Sequence, residues 1–171
     1  MRRADREMDA DFAFEVLDKA PYITVSFTRP DGRPYGVPLS LVRTDERTFY
    51  FHCALEGEKL DCIAANPHVA LSAVTRCTPT FDQKKEEFTL QYKSAMANGL
   101  AEIVTDCEEK IAALRAISER FLPKHMDAFD AAIAHSLDRT GVVKIILTAP
   151  PTGKRKQFDQ HGEELKYGRK E

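Results

Sequence analysis

The chain has 171 residues, with 27 Asp and Glu against 25 Lys and Arg, for a formal net charge of −2. A composition of 43% hydrophobic and 30% charged residues suits a single core with a solvated surface. The near-balanced charge excludes non-specific coating of nucleic acid, and no apolar run approaches the roughly 20 residues of a membrane-spanning helix.

The charged start, Met1-Arg2-Arg3-Ala4-Asp5-Arg6-Glu7-Met8, lacks the apolar stretch of a secretory signal. Four separated cysteines, Cys53, Cys62, Cys77 and Cys107, form no CxxC pair, so neither a disulfide framework nor a zinc site is expected. These features together point to a cytoplasmic protein with reduced thiols.

In chain order, Phe12, Val16 and Leu17 share one face of a helix predicted over 9–20, which Pro21 ends. Alternating β-branched and aromatic residues predict a strand over 22–28, followed by the turn Arg29-Pro30-Asp31-Gly32. A single strand is expected over 36–43, a polar turn over 44–47 and another strand over 48–53. A short helix over 58–65 stops at Asn66-Pro67, and a strand runs over 68–76. Residues 77–88 show no period and read as a mobile loop. A long strand follows over 89–104, with Asn98-Gly99 placed to bend it.

Asp106 and Glu109 form a capping box, in which each carboxylate would accept from a backbone amide at the helix start. Ile111, Leu114, Ile117 and Phe121 make one stripe of that helix, which ends at Pro123. A further helix over 127–137 and a strand over 142–148 complete the ordered part. The expected organisation is one domain over 1–154 and a polar tail over 155–171, partly disordered. About six strands without regular β-α-β alternation predict a mainly β fold, a small barrel with peripheral helices.

Chemistry concentrates in Tyr50-Phe51-His52-Cys53-Ala54-Leu55-Glu56-Gly57-Glu58-Lys59-Leu60. A strand delivers His52, a glycine turn follows, and a helix begins with a lysine in its first turn. Unpaired amides, the helix dipole and a lysine together suit a phosphate monoester. The same residues also suit a tight turn with a surface lysine and a core histidine, and on the residues alone both readings stay open.

Gln91-Tyr92-Lys93-Ser94-Ala95-Met96-Ala97-Asn98-Gly99 places polar side chains in mid-strand, as for a ligand or a solvent-facing side. In Pro34-Tyr35-Gly36-Val37-Pro38-Leu39-Ser40 the proline belongs at an edge or bulge, where unpaired backbone can meet a heterocycle. Pro151-Thr152-Gly153-Lys154-Arg155 is basic but lacks the glycine spacing of a P-loop. No HExxH or GxSxG motif is present, so no metal site is expected, and His125, His135 and His161 read as solvated. Cys53 adjoins His52 but points to the opposite face of its strand.

Five segments in this order resemble the FMN-binding split-barrel superfamily. They are Met1-Arg2-Arg3-x-Asp5-Arg6-Glu7, Pro34-Tyr35-x-Val37-Pro38-Leu39-Ser40, Tyr50-Phe51-His52-x-Ala54-x-x-Gly57-x-Lys59, Tyr92-x-Ser94 and Thr152-Gly153-Lys154. Within the superfamily the chain is similar to the pyridoxamine-phosphate-oxidase-related branch that includes the Nim nitroimidazole-resistance proteins. The resemblance implies a six-stranded antiparallel split barrel and a homodimer with FMN in the subunit interface.

By the same resemblance, Val37, Pro38, Leu39 and Ser40 line the isoalloxazine, and Phe51, His52 and Cys53 lie by the flavin. Gly57 and Lys59 meet the phosphate, while Tyr92 and Ser94 approach the cofactor from their own strand. His52 takes the role of the catalytic histidine. The implied activity carries electrons from a reduced nicotinamide through FMN to a small organic acceptor such as a nitro-aromatic. The alternatives are a non-catalytic flavin carrier or sensor, and a barrel that binds another planar cofactor such as haem. No nucleic-acid or membrane partner is expected.

Overall fold

The computed structural model describes residues 2–168. Met1 of the N-terminal motif, and Arg169, Lys170 and Glu171 of the predicted tail, lie outside the described residues. The described chain is mainly antiparallel β with peripheral helices, as the sequence predicts, but it holds nine strands rather than six. Contacts divide it into two compact units.

The first unit gathers the residues up to Pro21, Ser72–Ala97 and those from Pro150 onward. It contains β1 (Glu7–Met8), α1 (Ala10–Lys19) and β9 (Thr152–Lys156), together with the hairpin end of β6 (His68–Asp82) and β7 (Glu87–Ile103). The second unit, Tyr22–Leu71 with Asn98–Ala149, holds the remaining strands, the other three α-helices, the start of β6 and the end of β7.

In the first unit the Asp9 carboxylate accepts from the Phe12 amide at 2.8 Å and caps α1. The face with Phe12, Ala13, Val16 and Leu17 is buried. Antiparallel β9 pairs with β1 through Met8↔Gly153 and with β7 through Ser94↔Lys154 and Tyr92↔Lys156. Gly153 permits this close packing, since a Cβ there would lie 2.7 Å from the Phe12 ring and 3.0 Å from Met8 Cβ.

The predicted loop over 77–88 is instead the end of a long β hairpin: β6 runs to Asp82, and β7 starts at Glu87. Asp82 organises the turn by accepting from the Lys84 and Lys85 amides at 3.1 and 3.2 Å. Phe81 and Phe88 meet with ring centroids 5.1 Å apart.

The expected disorder of the tail is likewise corrected as far as residue 168. Its first two residues complete β9, and Phe158 bridges to Glu164. The following segment is tied by Arg6–Glu164 at 2.5 Å and Lys166–Asp5 at 2.6 Å, with Lys84 paired to Glu163. The charges that suggested a solvated tail are therefore spent on specific partners.

In the second unit β2 (Ile23–Thr28) pairs with β3 (Pro34–Leu39), from Ile23↔Leu39 to Thr28↔Pro34. The strand expected over 36–43 breaks at Ser40-Leu41, where Leu41 is buried, and resumes as the two-residue β4 (Val42–Arg43). Next comes β5 (Thr48–Cys53), which pairs with β4 and with β8 (Gly141–Leu147). The strand order is β3-β2-β6-β7-β8-β5-β4, so β3 is an edge, as Pro38 requires. Ile23, Val25, Phe49, Phe51, Leu71, Val143, Ile145 and Leu147 build the core.

Between β5 and β6 lies α2 (Glu58–Ala65). The later helices are α3 (Cys107–Phe121) and α4 (Phe129–Ser136). Ala113 and Leu114 of α3 and Phe129 of α4 pack with Val104 and Val142. Asp106 accepts from the Glu109 amide at 2.8 Å, but the reciprocal half of the capping box is absent. Glu109 turns its carboxylate to Tyr50 Oη at 2.8 Å and Lys144 Nζ at 2.9 Å, because these half-buried polar tips need a partner more than an exposed amide does. Burial and Glu109 push the Tyr50 hydroxyl up to about 12.

Candidate functional site

Within the second unit, β5 and α2 assemble the strand–turn–helix predicted for an anion. Alternation along β5 buries Phe49 and Phe51 and leaves His52 exposed opposite Val142. Phe51, expected beside the flavin, is only 1% exposed and is a core residue. His52 makes no hydrogen bond or ion pair among the described residues, so its imidazole is available to a ligand.

Cys53 is half-buried. Burial pushes its thiol up, and the nearby Lys59 charge opposes that shift. A thiol kept protonated in this way is a poor nucleophile.

Gly57 has φ 132° and precedes α2 without any side-chain cap. Nothing lies within 4 Å of where its Cβ would stand. Lys59 sits in the first turn of α2 with no ion pair among the described residues. Glu58 in that turn is taken by Arg29, so its charge is neutralised locally. This pairing raises the Arg29 guanidinium. The sequence reading missed Arg29, although a basic residue after a strand and an acidic one at the next helix start were there to be paired.

On the edge strand, Val37 and Leu39 alternate with the exposed Pro38 and Ser40. The two half-buried side chains oppose Val25 and Ile23 in register. Along β3, Pro34, Gly36 and Pro38 are exposed.

Tyr92 and Ser94 belong to the first unit, in the part of β7 that pairs with β9. Both are half-buried. Lys154 Nζ lies 6.0 Å from the centroid of the Tyr92 ring, a cation–π approach, and Ser94 faces Lys154 in register. The Tyr92-x-Ser94 and Thr152-Gly153-Lys154 segments, far apart in sequence, are thus one local cluster.

A sequence profile of the family described as pyridoxamine 5'-phosphate oxidase matches residues 9–150. The chain belongs to that family. Its split-barrel fold recurs in solved structures of low identity. A candidate 5-nitroimidazole antibiotic resistance protein from Bacteroides thetaiotaomicron is 22% identical, with a TM-score of 0.71 over 86% of this chain and 85% of that one. An FAD and haem binding protein from Mycobacterium smegmatis is 21% identical, with a TM-score of 0.76 over 88% and 73%. The flavocytochrome Anf3 from Azotobacter vinelandii is 18% identical, with a TM-score of 0.75 over 95% and 80%. No curated protein matches the chain. Among the described residues, no helix is long and apolar enough to cross a membrane.

Proposed function

We propose that this family member is a cytoplasmic, FMN-dependent oxidoreductase that acts as a homodimer with flavin at the subunit interface. The observation that carries the reading is the uncapped start of α2, with Gly57 at positive φ and Lys59 unpaired, inside the segment the family profile matches. These residues fit a phosphate-bearing cofactor: amide donors of α2 and the Lys59 ammonium would hold the phosphate. Val37, Pro38, Leu39 and Ser40 would orient the ring along the edge of β3. Bound FMN would supply transfer of electrons from a reduced nicotinamide to a small organic acceptor, with nitro-aromatics the first class to test. His52 would hydrogen-bond the cofactor or deliver a proton to the acceptor.

A second reading is favoured by the solved structure whose name includes haem, the FAD and haem binding protein. In it the chain binds a planar cofactor as a carrier or sensor, without turnover.

Anaerobic titration of the purified protein separates the two. Bleaching of a bound flavin by NADPH and repeated reoxidation by a nitro-aromatic support the enzyme, and one stoichiometric reduction without turnover supports the carrier. Loss of a charge-assisted hydrogen bond worth about 1.5–3 kcal/mol predicts that Lys59→Ala weakens FMN retention roughly 10- to 100-fold. Unchanged flavin content in that variant removes the phosphate assignment.

A further inference from the structure

The first turn of α2 carries Glu58, Lys59 and Asp61. Carboxylates there suit the positive end of the helix dipole, but two of them against one ammonium leave the turn net negative. An anionic ligand at the same place meets that charge. Leu60 and Asp61 already give their amides to the Gly57 carbonyl, at 2.8 and 3.3 Å, whereas the Glu58 and Lys59 amides make no hydrogen bond among the described residues. The free donors therefore lie on Glu58 itself and on its neighbour.

Arg29, directly after β2, answers that charge. Its Nε donates to Glu58 Oε1, and its Nη1 donates to the Pro34 carbonyl at 2.8 Å. The guanidinium lies 4.9 Å from the centroid of Tyr35, whose ring meets Phe27 at 6.0 Å. The Arg29 backbone also closes the hairpin: its amide donates to the Arg33 carbonyl at 2.8 Å, and its carbonyl accepts from the Gly32 amide at 2.8 Å. Arg33, the other cation of this turn, is spent on Asp31 at 2.7 Å. One guanidinium thus joins the start of β3 to the first turn of α2, and all of these residues lie in the second unit. With Arg29 counted, the cations at the start of α2 balance the carboxylates.

We infer that Arg29 is a positioning residue that lets this site prefer a phosphorylated flavin over the same ring without its phosphate. It acts through Glu58: by engaging that carboxylate, it lifts a repulsion from the free amides of Glu58 and Lys59. The inference rests on the phosphate assignment proposed for α2, and adds the residue that makes an acidic helix start compatible with an anion. Arg29 is not itself a phosphate ligand, because Glu58 and Pro34 already occupy its donors and Tyr35 covers a face of its plane. A phosphate dianion feels a neighbouring carboxylate twice as strongly as a monoanion does, while riboflavin, which has no phosphate, does not feel it. The Arg29–Glu58 pair is partly exposed, so added salt weakens its influence.

The test is fluorescence titration of the flavin-free full-length chain with FMN and with riboflavin, read as the ratio of the two affinities. Arg29→Gln should lower the preference for FMN about five- to tenfold at low ionic strength, and less in about 1 M salt, with riboflavin affinity unchanged. Combining Arg29→Gln with Glu58→Gln should bring the ratio back to within about twofold of the unmodified chain. Equal loss of both affinities, or a double variant as weak as Arg29→Gln, would assign Arg29 to hairpin packing or to direct ligand contact and overturn the inference. Glu58→Gln alone changes an exposed side chain and gives an answer that does not depend on Arg29→Gln folding. It should raise the preference for FMN, and an unchanged or lower preference refutes the inference. Lys59→Ala separates the two levels of the reading. A ratio unchanged by Lys59→Ala removes the phosphate assignment itself, whereas a ratio lowered by Lys59→Ala but not by Arg29→Gln overturns the role of Arg29 alone.

Discussion

Glu164 gathers cations from three parts of the chain, and removing its charge tests whether this cluster fastens the C-terminal segment. Its Oε1 lies 2.5 Å from Arg6, 3.2 Å from Lys166 and 3.6 Å from Arg3, and its Oε2 lies 3.6 Å from Lys85. The side chain is 5% exposed, so solvent screens these pairs weakly. Burial alone would raise the carboxyl, but Arg6 and Lys166 outweigh it and bring it from 4.5 to about 2. At about 1.4 kcal/mol per pH unit, that shift corresponds to roughly 3 kcal/mol of stability.

Because the folded value lies below the unfolded one, this contribution is present above about pH 4.5 and fades as the pH falls to about 2. Glu164→Gln should therefore cost about 3 kcal/mol at pH 7 and far less near pH 2. The chain has no tryptophan, so urea unfolding is best followed by far-UV circular dichroism at both pH values. A loss below 1 kcal/mol at pH 7, or an equal loss at both pH values, would refute the electrostatic account.

Two further substitutions probe local construction. Asp106→Ala removes the bond to the Glu109 amide and should lower stability by about 1 kcal/mol in urea unfolding, while Asp106→Asn should restore most of it. Gly153→Ala places a methyl against the Phe12 ring and Met8 and should cost about 1–3 kcal/mol. A shift in its thermal midpoint smaller than 1 °C would mean that this packing yields freely.

The elements that could be read from sequence are those whose two faces differ. The strand over 48–53 alternates buried Phe49 and Phe51 with more exposed neighbours, and the helix over 58–65 is bounded by Gly57 and Asn66. Residues 77–87 extend two strands, yet nearly all of them are exposed and Phe88 is 91% exposed, so no buried face imposes a period. The strand over 152–156 was hidden by its own composition: Lys156 is buried beside the Thr89 hydroxyl, which hydrophobicity patterns do not anticipate. The turn at Gly57 and Lys59 was legible because its residues are contiguous. The approach of Lys154 to Tyr92 was not, since two strands far apart in sequence must pair before those side chains meet.

The rim of β3 has a bearing on solubility as well as on ligands. Residues 34, 36 and 38 point their backbone groups in a common direction, and two of the three are prolines without an N–H. A strand from another molecule that tried to extend the sheet there would find one donor, at Gly36, where an ordinary edge offers three. The prolines that place this strand at the border of the sheet also make it a poor template for runaway strand addition.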